Sequence, residues 1–173
     1  MAILDIVKYP DPSLKKVSEP VKDVDEEIKN LVNDMLETMY NAPGVGLSAV
    51  QVGVLKRIIV ADIHYRDGGE TDPVIIINPE IVSSNGEITY EEGCLSVPGY
   101  TADVVRAERI TVSGLNIHGD KTMLAAGDFL AIVLQHEIDH LNGILFVDRL
   151  GPVKKDMFKR KYRKILRDRA AVK

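Results

Sequence analysis

Only one cysteine, Cys94, stands in 173 residues, so an internal disulfide is excluded. In a reducing compartment a lone thiol is core filler, a nucleophile or a metal ligand. There is also no long uncharged apolar run, which argues against a membrane-spanning helix. Met1 to Val7 are too short and too charged to be the apolar part of a secretion signal, so the expected address is the cytoplasm. Internal repeats, low-complexity tracts and linkers are missing too. The chain, 1–173, therefore reads as a single domain, long enough to bury a core without disulfide or metal staples.

The net charge of −4 hides an asymmetry. Residues 151–173 hold 10 Lys and Arg against 2 Asp and Glu, a balance of +8, so residues 1–150 carry −12. A basic tail on an acidic body fits an anionic partner or, equally well, a solvated helix face.

The opening, Ile3 to Val21, is broken by Pro10, Pro12 and Pro20 and reads as an extended surface arm. From Asp25 to Tyr40, apolar residues from Ile28 to Met39 recur at helical spacing, with Asp25 to Glu27 placing negative charge at the start. A glycine-rich turn, Pro43 to Gly46, ends that helix. Short β-branched runs follow at Arg57–Ile63, Val74–Asn78, Glu87–Tyr90 and Arg109–Ile117. Asp67-Gly68-Gly69 and Asn85-Gly86 mark turns, and His118-Gly119-Asp120 closes a hairpin onto Lys121–Ala125. A second helix starts near Asp128 as N-cap, runs through His136 and His140, and stops at Asn142-Gly143. A third, basic helix spans about 153–170, docked by Met157, Tyr162, Ile165 and Leu166. The fold class is α+β: mainly antiparallel strands packed around a central helix, with helices at both ends.

The most informative stretch is His136-Glu137-Ile138-Asp139-His140. Residues four apart share a helix face, so both imidazoles can reach one ion, with Glu137 close enough to exchange protons with an activated water. The apolar run from Phe129 to Gln135 implies that the helix is buried, and two buried imidazoles one turn apart need partners. On an exposed helix the same pattern arises by chance. Catalytic sites of this kind keep three protein ligands and one open position. Downstream only Asp148 is on offer, and Cys94, in Glu92-Gly93-Cys94-Leu95-Ser96, suits a strand end that presents one side chain to a pocket. A nucleophilic Cys94 is less attractive, since it needs a free imidazole as base. His64 and His118 fall in or beside turns and read as surface residues. Two imidazoles and a thiolate suit zinc, iron(II), cobalt or nickel. Together these residues describe a metal site with a general base beside it, with the reaction left undefined.

Three segments resemble one family, the peptide deformylases. Its GxGLAAxQ motif is matched by Gly44 to Gln51, its EGCLS motif by Glu92 to Ser96, and its QHExDHLxG motif by Gln135 to Gly143. Tyr9-Pro10-Asp11-Pro12 with Leu14 is also similar, so the likeness spans nearly the whole chain. Ser48 departs from the usual alanine, and its hydroxyl is placed to alter hydrogen bonding near the site. An arginine that holds the peptide in some members is missing from Val97–Thr101; Arg106 is the first available, and the role is not carried over to it.

The resemblance implies hydrolysis of the N-formyl group from the formylmethionine of nascent polypeptides, releasing formate. It implies one divalent ion, natively iron(II), on Cys94, His136 and His140, with zinc, nickel or cobalt as replacements. Water is then activated by the metal and Glu137, and the Gln51 amide with the Leu95 N–H receives the developing negative charge. A pocket for methionine draws on Val45, Gly46, Tyr90, Glu92, Gly93, Ile132 and Val133; ordinary core packing is the competing reading for the apolar members and outweighs the pocket for Phe129. Gly46, with no Cβ, lets the peptide approach closely. The implied partners are formyl-Met peptides and, through the basic helix, ribosomal RNA; neither membrane nor DNA is expected, and the lack of an organelle leader suggests a bacterial source. The competing functions are a zinc endopeptidase, which would ignore the formyl group, and a non-catalytic ribosome- or RNA-binding protein, for which Glu137 has no use.

Overall fold

A computed structural model describes residues 2–172 of the chain. Three α-helices, Glu26–Asn41 (α1), Asp128–Leu141 (α2) and Pro152–Ala171 (α3), flank seven strands. The strands are Gly46–Ser48 (β1), Ile58–Ala61 (β2), Val74–Asn85 (β3), Ile88–Cys94 (β4), Val97–Arg106 (β5), Arg109–Leu115 (β6) and Lys121–Gly127 (β7). Five of them form an antiparallel sheet in the order β1-β2-β3-β6-β7, and β4 pairs with β5 in a separate hairpin.

Alternation in β2 explains the layering. All four of its residues are buried. Ile58 and Val60 enter a cluster with Ile28, Val32, Met35 and Met39 of α1, whereas Ile59 and Ala61 enter another with Ala131, Val133, Leu134, Ile138 and Leu141 of α2. Successive strand side chains point to opposite faces, so the large sheet is covered by α1 on one side and α2 on the other. A third cluster joins Val97 and Val104 of β5 to Phe146, Phe158 and Tyr162, which docks α3 on the hairpin.

Several sequence expectations shift. Asp25 caps α1 by accepting from the Ile28 N–H at 3.0 Å. At α2 the N-cap is Gly127 and not Asp128, which lies inside the first turn at φ 52, a region that Asp tolerates better than most residues. Met157 is 59 % exposed and does not dock α3; Phe158, one position on, is buried in its place. The opening arm is not a free surface segment. Leu14 is buried, and backbone bonds run from the Val7 N–H to the Gln51 carbonyl and from the Tyr9 N–H to the Ser96 carbonyl, each 2.7 Å. Strands β1 and β5 were not expected, and β3 extends well beyond Asn78. After Cys94 the chain turns at Leu95-Ser96, between the paired Cys94 and Val97.

Candidate metal centre

Helical spacing brings His136 and His140 onto one face of α2, with ring centroids 4.9 Å apart. Their Nε2 atoms lie 3.2 Å from each other, and Cys94 Sγ lies 3.3 Å from His140 Nε2. The thiol arrives at the last residue of β4, after a register shift between Glu92 and Cys94; such bulges re-aim a side chain. All three donor atoms fall within 4.8 Å of one another. Two nitrogens bound to one tetrahedral ion would be about 3.3 Å apart, given bonds of about 2.0–2.1 Å. The donor set thus fits a single cation.

Charge supports the same reading. The usual value of His140 is pushed well down by burial and by neighbouring His136. Burial also opposes the charged form of His136, yet hydrogen bonds to Cys94 and Glu92 and the negative charges of Cys94 and Glu137 outweigh it and push that imidazole well above the usual value. Binding a metal ion through these donors would require both imidazoles to be neutral, displacing any proton that His136 holds.

Behind His136 lies a buried ion network. His136 Nδ1 meets Glu92 Oε1 at 2.9 Å. Arg106 donates to both Glu92 oxygens at 2.8 and 2.9 Å and to Asp139 Oδ2 at 2.6 Å. Asp139 in turn accepts from Arg149 at 2.7 and 3.0 Å. Burial tends to raise the Glu92 carboxyl, but bonds from Arg106 and His136 prevail and hold it below the carboxylate range. Arg106 is therefore an internal cation, 5 % exposed, and does not face the pocket.

A cavity of about 350 Å³ opens beside these donors. It is lined by Val45, Gly46, Gln51, Tyr90, Glu92, Gly93, Cys94, Leu95, Ile132, Val133, His136 and Glu137, which places the sequence-derived residues around one space, with His140 buried just behind. Phe129 packs against the core cluster under α2 and lines the cavity as well, its ring centroid 5.3 Å from that of Tyr90, so it serves both core and pocket. Burial pushes Glu137 up to about 7, and its Oε1 finds no hydrogen-bond partner among the described residues. Gly46 packs against that carboxylate: a Cβ there would lie 2.5 Å from Glu137 Oε2 and 2.9 Å from Val133 Cγ1. The glycine is required by the acid as much as by any peptide.

Gln51 is set by a single turn of 3-10 helix, Ala49–Val52, with its side chain folded back in a capping-box manner. Its Oε1 accepts from the Ser48 N–H and Ser48 Oγ, both at 2.9 Å. Its Nε2 donates to Ser96 Oγ at 3.1 Å and lies 3.6 Å from Cys94 Sγ. His64 and His118 are exposed and lie outside the site, as read from their turns.

The polypeptide deformylase family model matches residues 3–156. The chain belongs to that family. A peptide deformylase of Syntrophobacter fumaroxidans is 50 % identical over 171 residues, 99 % of this chain and 100 % of the relative. One from Thermodesulfovibrio yellowstonii is 49 % identical over 94 % of this chain and 98 % of its own. Among solved structures, the Legionella pneumophila peptide deformylase superposes with a TM-score of 0.89 at 50 % identity, covering 98 % of each chain. The Ehrlichia chaffeensis peptide deformylase in complex with actinonin gives 0.87 at 46 % identity, covering 95 % of this chain and 98 % of its own. Peptide deformylases are metal-dependent hydrolases that remove N-formyl groups from nascent peptides, and Cys94, His136 and His140 form a group suited to the metal.

Proposed function

We propose that this chain is one catalytic domain in which Glu137 carries the proton of deformylation, while Cys94, His136 and His140 hold one divalent ion, natively iron(II). The carrying observation is the convergence of three donor atoms, on the buried His136 and His140 and the half-buried Cys94, beside a carboxylate oxygen with no hydrogen-bond partner among the described residues, at the wall of a cavity. A bound divalent cation supplies Lewis acidity and lowers the pKa of water toward neutrality.

Glu137 takes a proton from the attacking water and returns it to the leaving amine, and its burial makes it a stronger base than an exposed carboxylate. The Gln51 amide and the Leu95 N–H receive the negative charge that develops on the formyl oxygen. Val45, Tyr90, Phe129, Ile132 and Val133 give the cavity an apolar lining suited to a methionine side chain. Glu92 serves this pocket indirectly, through His136. Strand β1 lies at a sheet edge, where Val45 and Gly46 can pair with an extended peptide. The Ehrlichia relative forms a complex with actinonin, and in this chain the cavity beside the metal ligands is the place such a ligand would take.

A bacterial cytoplasmic address follows from the same reading, as does docking of α3 on ribosomal RNA phosphates. No helix among the described residues is long and apolar enough to cross a membrane. Formate release from formyl-Met-Ala-Ser by the metal-loaded protein tests the reaction, and cleavage of an internal bond in a blocked peptide without formate release would indicate an endopeptidase.

A further inference from the structure

The one departure within the first motif, Ser48, lies fully buried against Gln51. We infer that the Ser48 hydroxyl is a positioning group for the Gln51 amide, locking it and strengthening its N–H donation into the site. The inference rests on Gln51 acting as the oxyanion donor.

Four contacts define the lock. An N–H can only donate, so the Ser48 N–H at 2.9 Å identifies the facing atom of Gln51 as oxygen. Ser48 Oγ adds a second donor to that oxygen, also at 2.9 Å. The amide nitrogen is thereby turned toward Ser96 Oγ at 3.1 Å and Cys94 Sγ at 3.6 Å. Ser96 holds one of the two amide hydrogens, leaving the other on the side of Cys94, where the formyl oxygen is to be bound. Ser96 is itself anchored, because its carbonyl accepts from the Tyr9 N–H at 2.7 Å.

An amide whose oxygen accepts two hydrogen bonds is polarised, and its N–H groups become better donors in a site of low dielectric. Alanine at position 48 would keep the backbone donor and lose only the hydroxyl. The orientation would survive, while the second restraint and its polarisation would go. A modest effect on the chemical step follows, with none on peptide binding.

The test uses the metal-loaded enzyme in a double-mutant cycle. Ser48→Ala should lower kcat about threefold, the scale of one weakened donor and not of a lost one, with KM unchanged. In a Gln51→Ala background the same substitution should leave kcat unchanged. In the zinc-loaded protein, NMR should show faster hydrogen exchange of the Gln51 side-chain amide in Ser48→Ala than in wild type. An equal loss of kcat in both backgrounds, or unchanged kcat with unchanged exchange, would overturn the inference. If Gln51→Ala alone keeps wild-type kcat, the oxyanion role of Gln51 fails; the lock is then judged by amide exchange alone, and unchanged exchange rejects it.

Discussion

Glu92 lies between Arg106 and His136, with one carboxylate oxygen 2.9 Å from the imidazole Nδ1 and both oxygens held by the guanidinium. When His136 binds a cation through Nε2, its Nδ1 carries the proton and donates to Glu92. That partner fixes the tautomer and raises the basicity of the ligand. Glu92→Gln should therefore weaken metal binding about 10–100-fold. Competition against a chelator measures it, and wild-type affinity would show that Glu92 serves the pocket alone.

Arg106 is the hinge of the network. Removing it leaves Glu92 and Asp139, which are 4 % and 7 % exposed, without their shared cation. Arg149 still compensates Asp139 in part. Arg106→Ala should cost about 3–5 kcal/mol, the scale of a buried pair broken on one side. Urea denaturation of the metal-loaded protein gives the number, and a loss below about 1 kcal/mol, typical of surface ion pairs, would contradict burial as the cause.

A methyl group at position 46 would press first on Glu137 and Val133. Gly46→Ala should reduce kcat/KM about 100-fold, as displacement of a catalytic group by around an ångström does, while metal content stays at the wild-type level. Activity within twofold of wild type would mean that Glu137 adjusts freely.

The raised pKa of Glu137 also sets a pH dependence. Burial lifts the carboxyl from 4.5 to about 7, so between those values the folded state holds a proton that the unfolded state has lost. The associated stability is fully present below pH 4.5 and is lost as pH rises through about 7. Its ceiling is about 3 kcal/mol. In the metal-free protein, stability should fall more between pH 5 and pH 8 for wild type than for Glu137→Gln, and equal falls would contradict the shift.

Much of the site could be read before the structure, because its signals are local. His136, Glu137 and His140 lie within five residues, and helical geometry alone puts the imidazoles on one face. Cys94 was legible from its flanking motif, with a strand end as its predicted setting. The ion network was not legible, because Arg106 meets Glu92 only through the pairing of β4 with β5, and β5 begins at Val97-Pro98-Gly99, which reads as a turn. Strand β1 was missed for a similar reason, being three residues inside a glycine-rich segment. At α3 the helix was expected but its buried face was misplaced, since Met157 and Phe158 differ by a rotation of one residue and only docking against Tyr9 and Tyr100 decides between them. Deleting that helix would remove Phe158 and Tyr162 from the core, so a ribosome-binding test is better made by reversing the exposed charges Lys154, Lys159, Arg163 and Arg167 to Glu. Ribosome co-sedimentation should then fall and become less salt-sensitive, and unchanged binding would discard the contact.

Glu137 beside the three donors is the centre of the account. The direct measurement is formate release from formyl-Met-Ala-Ser by wild type and by Glu137→Ala, each with its metal content determined. Wild type should release formate, and the variant, with metal retained, should be slower by at least about 100-fold, the lower range for a general acid–base group. Comparable rates at equal metal content would contradict the role of Glu137 as proton carrier.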